Sequence, residues 1–280
     1  MGLNIHQAEK KKSIIKETYN LLPVLDLLDL TNHQDTLVIF DVDEVLITPS
    51  SQDDLRHPYR DRLLQSIFNR IKPLEIELLK SIIFLNAKQV LVESRITEIF
   101  EKLKSHKIPA IALTAMGTGK LGIIEKMHDF RFTQLDSVNL SFRHLSPIDG
   151  EHIMLELSTR NRKFSGLDCK GDPMLKSGVV FTSGLDKGIV LEYILEKYNY
   201  YPKTVIFVDD LIENIESLRK TCLAFNIDFY GFHYKAASLV PLPNIDEDLE
   251  KLRFEILEKE FIWLSHKKLK TKQYLSRLIN

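Results

Sequence analysis

Four stretches of the chain stay apolar for several residues and then turn polar. They are "LVIFDVD" (37–43), "AIALTA" (110–115), "GVVFTS" (178–183) and "TVIFVDD" (204–210). Each is a continuous run and not an alternating one, which is the pattern of a central strand covered on both faces. Among them, apolar residues recur at helical spacing near 95–106, 119–130, 187–199 and 211–222. Strand and helix signals that alternate in this way predict an α/β fold, a Rossmann-like three-layer α/β/α core around a mainly parallel sheet.

Two intervals are too long for simple crossovers. Residues 48–94 carry helix-like apolar spacing, as in "DRLLQSIFNRIKPLEIELLKSIIFL". Residues 131–178 are mixed, with a Gly/Asp-rich "SGLDCKGDP". Loops of that length without structure are uncommon, so both are expected to be structured insertions. The division that follows is a core of 1–47 and 95–280 with a helical cap insertion at 48–94. Helical spacing through Ile245, Leu249, Leu252 and Ile256 predicts a C-terminal helix packed on the core.

Composition narrows the setting. The 280 residues are 44% hydrophobic and 28% charged, which is ordinary for a globular protein in water. A net charge of −1 gives no bulk attraction to nucleic acid or to an anionic membrane. No apolar run reaches the roughly 18 residues that span a bilayer. Lys16, Glu17, Asp26 and Asp29 interrupt any signal-peptide core near the N-terminus. Cys169 and Cys222 form neither a CxxC pair nor a framework, so a reduced pair in the cytoplasm is expected.

The chemistry enters at two strand ends. Asp41 and Asp43 follow the first strand, and Asp209 and Asp210 end the fourth. In an open α/β sheet, ligands bind outside the carboxyl ends of the strands. If the two strands are neighbours, their carboxylates converge and repel one another unless a cation sits among them. An all-oxygen set of hard ligands selects Mg²⁺. A single Asp at a strand end is more often a turn former or a helix cap, but two such ends on buried strands are poorly explained that way. "GTGK" (117–120) is not a phosphate-binding P-loop, because Thr114 and Leu121 stand where that motif needs Gly and Ser or Thr. The nine histidines show no ligand-like pair.

"VIFDVDEVL", "AIALTA", "SGLDKG" and "VIFVDDLIEN" occur in that order over residues 37–220. Together they resemble the four motifs of the haloacid dehalogenase-like superfamily, and within it a bacterial branch. Glu44 and Val45 stand where many of its phosphatases have Gly and Thr. The resemblance implies a Mg²⁺-dependent phosphohydrolase acting on a small phosphorylated substrate. Asp41 would be the nucleophile that forms an aspartyl-phosphate and also a metal ligand. Asp43 would be the general acid and base, with its backbone carbonyl on the metal. Thr114 would bond a phosphoryl oxygen, and Lys187, opening a helix, would neutralise the phosphoryl charge, with Lys176 as a fallback. Asp209 would hold Mg²⁺ directly and Asp210 directly or through water, with Asn214 orienting them. The same residues would serve a phosphotransferase or mutase. A catalytically idle binding module is the remaining alternative.

Overall fold

The computed structural model describes residues 11–163 and 170–271. The chain opens with β1 (Ser13–Thr18), α1 (Leu22–Leu30) and β2 (Thr36–Phe40). Next come β3 (Ile47–Pro49), α2 (Pro58–Phe68), α3 (Pro73–Asn86) and β4 (Gln89–Leu91). They are followed by α4 (Arg95–Ser105), β5 (Ala110–Thr114), α5 (Met127–Ser137), β6 (Glu151–Ile153), β7 (Met174–Lys176) and β8 (Val179–Phe181). The remainder is α6 (Lys187–Lys197), β9 (Thr204–Asp209), α7 (Ile212–Ala224), β10 (Asp228–Tyr234) and α8 (Glu247–Glu260).

Eight strands form one sheet in the order β1-β10-β9-β2-β5-β8-β7-β6. The first six pair in parallel, and only the β8–β7 and β7–β6 pairings at one edge are antiparallel. Both faces are covered. Val38 and Phe40 of β2 pack with Leu28 of α1, Phe100 of α4 and Leu135 of α5 on one side. Leu37 and Ile39 pack with Leu191 of α6 and Leu218 of α7 on the other. Alternate β2 residues therefore enter different cores, which is why every position of the strand is apolar or buried. This is a Rossmann-like α/β fold.

Helix α4 shows how the pattern is read out. Its buried residues Ile96, Ile99, Phe100 and Leu103 lie at i, i+3, i+4 and i+7, one stripe against the sheet. The helix expected over 119–130 begins only at Met127. Three glycines, Gly117, Gly119 and Gly122, disfavour a helix before it. Gly122 has φ +53°, and a Cβ there would meet the Glu77 carbonyl of α3 at 2.4 Å. The segment instead forms a tight loop against α3, with Leu121 and Ile124 exchanging backbone hydrogen bonds at 2.9 Å. Strands β1 and β10 were not expected. Their sequences, SIIKET and DFYGFHY, break the continuous apolar run with charged and polar residues.

The short antiparallel pair β3 and β4 closes the neck of the 48–94 segment, whose body is α2 and α3. The C-terminal helix, expected on the core, packs on this segment instead. Phe254, Leu257 and Trp263 form a cluster with Ile67, Leu79 and Ile82 of α2 and α3. Charge fixes the same contact: Arg60 of α2 donates through Nε and Nη2 to Glu250 of α8 at 2.8 and 2.6 Å. Residues 131–178 extend the sheet beyond β8 through the β6–β7 pair. Cys222 is buried in α7, and Cys169 lies outside the described residues.

Candidate active site

The register of the sheet brings the two acidic strand ends together. Phe40 lies opposite Val208, and the Asp41 amide donates to the Val208 carbonyl at 2.9 Å. Asp41 is therefore flush with Asp209. On the other side Phe40 is opposite Ala112, which sets Thr114 at the same edge two residues on. The chain leaves β2 toward β5 and later returns to β9 on the opposite flank, so this edge is a topological switch point.

Carboxylate oxygens of Asp41, Asp209 and Asp210 lie within 4.8 Å of one another. Lys187 joins them: its Nζ is 2.9 Å from Asp41 Oδ1 and 2.6 Å from Asp209 Oδ2. The Lys187 side chain is 1% exposed. It gets there because it is the first residue of α6, whose Asp186 cap accepts from the Gly188 and Ile189 amides at 2.9 and 3.3 Å. Gly188 lets α6 approach α7, since a Cβ would meet Ser217 Oγ at 2.4 Å. Asn214 donates from Nδ2 to both oxygens of Asp209, at 3.1 and 3.2 Å, and the Leu211 amide adds a third donor at 2.8 Å. Thr114 is fully buried, and its hydroxyl oxygen accepts from the Met116 amide at 3.3 Å.

Electrostatically the cluster is short of positive charge. Burial, together with Asp209, Asp43 and Asp210, pushes the Asp41 carboxyl up to about 8 against the pull of Lys187. Burial and Asp209 push Asp210 up to about 7. Burial pulls the Lys187 ammonium down, but Asp209 and Asp41 more than offset it, so it stays protonated above its ordinary range. Among the described residues, three carboxylates share one directly paired ammonium. The donor set, oxygen only and converging, fits a hard divalent cation of the Mg²⁺ class.

Asp43 is not part of this group. Its side chain, 60% exposed, turns to Arg131 of α5, whose Nη2 donates to both carboxylate oxygens at 2.8 and 2.6 Å. Lys176 lies away from the cluster, paired to Glu151 at 3.1 Å and Asp129 at 3.5 Å. Glu44 adopts φ 60°, a left-handed conformation that glycine accepts readily and glutamate does not. Two cavities flank the cluster. One of about 500 Å³ lies between Asp43, Met116 and Arg131 and the insertion's Arg56, Leu64 and Phe84. The other, about 490 Å³, is bordered by Glu44, Arg56, Asp210 and Leu239. Arg131 lies in no motif and was missed in the sequence. The only available signal was an arginine within an otherwise buried helix stripe of Met127, His128 and Leu135.

Residues 16–270 match the family model described as "Protein of unknown function (DUF2608)". The chain belongs to that family. Over 226 residues this DUF2608 chain is 22% identical to an uncharacterized protein of Rickettsia prowazekii, covering 79% of the chain and 75% of the relative. Over 83 residues it is 28% identical to a putative outer membrane protein of Chlamydia pneumoniae, covering 30% of the chain and 31% of that relative. Among solved structures, a haloacid dehalogenase-like family hydrolase from Streptococcus pneumoniae superposes with a TM-score of 0.38 at 13% identity, over 70% of the DUF2608 chain and 93% of the other. Among the described residues, no helix is long and apolar enough to cross a membrane.

Proposed function

We infer that this protein is a Mg²⁺-dependent phosphohydrolase that cleaves a small phosphomonoester through an aspartyl-phosphate on Asp41. The observation that carries this reading is the meeting of Asp41, Asp209 and Asp210 with the buried Lys187 at one sheet edge. An arrangement serving stability alone would balance its charges. This one keeps three carboxylates against one ammonium.

Asp41 attacks phosphorus, the P–O bond to the alcohol breaks, and the phosphoryl group rests on the Asp41 carboxylate. Asp43 gives its proton to the departing oxygen, then takes one from the water that attacks the phosphoryl-aspartate, releasing phosphate and restoring Asp41. Mg²⁺ held by Asp41, Asp209 and Asp210, with the Asp43 carbonyl that the motif resemblance adds, would neutralise phosphoryl charge and favour ionised Asp41. Lys187 holds Asp41 and Asp209 apart by fixed distances and adds positive charge beside the transferring group. Asn214 and the Leu211 amide fix the orientation of Asp209. Thr114 presents a hydroxyl at the same edge. The 48–94 segment forms one wall of the cavity that Arg131 lines and would limit the access of bulk water to it.

Purified protein with Mg²⁺ should release phosphate from p-nitrophenyl phosphate and from a panel of small phosphomonoesters. EDTA should remove the activity, and beryllium fluoride should form its adduct on Asp41. Failure to release phosphate from any member of the panel, or an adduct on another residue, would overturn the assignment.

A further inference from the structure

We propose that Arg131 is a specificity-determining residue that binds a carboxylate of the substrate, so that the phosphomonoester taken here carries a second anionic group. This rests on the phosphohydrolase reading above.

A guanidinium is always charged, and burying one is costly unless its donors are paired. The Arg131 side chain is 1% exposed. Asp43 takes both of its contacts from Nη2 alone. The Nε and Nη1 atoms of Arg131 are buried and have no hydrogen-bond partner among the described residues. The same fold satisfies its other buried arginines completely. Arg60 sends Nε and Nη2 to Glu250 and Nη1 to the Gln52 and Leu55 carbonyls. Arg253 sends Nε to the Leu264 carbonyl, Nη1 to the Asp53 carbonyl and Nη2 to Asp54. Arg60 lines the same cavity as Arg131 but has every donor group engaged, so of these two only Arg131 keeps donors to spare there.

Each edge of a guanidinium offers two parallel N–H groups to a planar carboxylate. In Arg131 both edges, Nε with Nη2 and Nη1 with Nη2, keep a spare donor. One turn along α5, Gln134 lines the same cavity, and its amide oxygen is also buried without a partner among the described residues, an acceptor that a side-chain rotation would offer to a substrate hydroxyl. Leu64, Ile83 and Phe84 make the facing wall apolar. The cavity also contains Asp43, Glu44 and Asp61, so a singly charged carboxylate suits it better than a second, more highly charged phosphate. A substrate lacking the carboxylate leaves the Nε and Nη1 donors of Arg131 buried without partners, which is the strong kind of discrimination.

The test uses 3-phosphoglycerate and glycerol 3-phosphate, which differ by a carboxylate against a hydroxymethyl group. Calorimetry with Mg²⁺ on Asp41→Asn measures binding without turnover. We expect 3-phosphoglycerate to bind tighter by about 10-fold or more, and the ratio to fall to about 1 when Arg131→Lys is added. Lysine keeps a charge for Asp43, and a melting profile shows whether the fold is retained. If that variant does not fold, a crystal structure of Asp41→Asn with 3-phosphoglycerate decides, with its carboxylate on Arg131 as the expected result. Equal binding of the two ligands, binding of neither, discrimination that survives Arg131→Lys, or a carboxylate placed elsewhere would each overturn the proposal. Discrimination in calorimetry without phosphate release by the wild type would instead overturn the hydrolase assignment and leave the carboxylate site standing.

Discussion

The protein buries charge in two places, and the two are built on opposite principles. At the sheet edge, Asp41, Asp209 and Asp210 face Lys187 alone. Where α8 meets the 48–94 segment, Arg60, Arg253 and His266 face Asp53, Asp54 and Glu250. The second cluster is balanced in partners, three basic side chains meeting three carboxylates, and its bonds tie distant segments: His266 bridges Asp53 at 2.8 Å and Glu250 at 2.6 Å, and Arg253 stacks 3.5 Å over the Trp263 ring. Matched basic and acidic partners hold the insertion to the C-terminal helix. Mismatched charge at the sheet edge leaves a demand for a cation and an electrophile. Balance separates a structural cluster from a chemical one more cleanly than burial does, because both are buried.

The largest effect that follows is on turnover. Asp41→Asn should lower kcat by about 10⁴-fold or more, the scale of removing a nucleophile, while denaturant midpoints change little or rise. Phosphate-release kinetics and urea unfolding on the same sample test both halves. Retention of wild-type turnover would remove Asp41 from its role. The balanced cluster should behave in reverse. Glu250→Leu leaves Arg60 without its carboxylate partner and should cost about 3–5 kcal/mol in urea unfolding, with kcat of the folded fraction largely kept. A loss of activity without a loss of stability there would erase the distinction between the clusters.

How far each region was legible in the sequence follows the same line. The sheet edge was legible because its chemistry is local: an apolar strand runs straight into its acids, and a lysine opens a helix. Parallel pairing in register then brings Asp41 beside Asp209 with no further information needed. The balanced cluster was not legible, since Arg60 and Glu250 are 190 residues apart and neither belongs to a motif. For the same reason α8 was expected on the core. Arg131, 88 residues from Asp43, escaped notice in the same way. The late start of α5 is a different failure, in which apolar spacing outweighed three glycines that oppose a helix.

A third prediction sharpens the imbalance through pH. Asp41 and Asp210 ionise near 8 and 7 in the folded protein, against an ordinary value of 3.8. Between those limits the folded state binds more protons than the unfolded one, so metal-free stability falls as pH rises from about 4 toward 8. Mg²⁺ needs the ionised carboxylates, so the stabilisation it gives should grow over the same window. At a concentration about 100 times its dissociation constant it reaches about 2.7 kcal/mol. Melting temperatures at pH 5, 6, 7 and 8, with and without Mg²⁺, measure this, and Asp41→Asn should flatten the trend. An equal Mg²⁺ shift at pH 5 and pH 8 would count against these carboxylates as the ligands.

The smallest effect compares strain in the two regions. Glu44 at the sheet edge has φ 60°, and Phe261, which caps the C-terminus of α8 beside the balanced cluster, has φ 57°. A residue with a Cβ pays about 1–2 kcal/mol for that conformation, and glycine does not. Phe261 is 46% exposed, so its removal gives up little packing. Glu44 accepts from the Thr48 hydroxyl at 3.3 Å and borders both cavities. Both Glu44→Gly and Phe261→Gly should therefore raise the unfolding free energy measured in urea, by about 1 kcal/mol each after the extra backbone entropy of glycine is subtracted. Their consequences for turnover should differ. The turn at Glu44 immediately follows Asp43 and fixes its carbonyl and side chain, so relaxing it should lower kcat/KM, whereas Phe261→Gly should leave it unchanged. Strain is kept at functional sites when the surrounding structure over-determines it. If Glu44→Gly stabilises the protein with full activity, the strain at Glu44 is of the same kind as that at Phe261, a feature of chain geometry with no part in the chemistry.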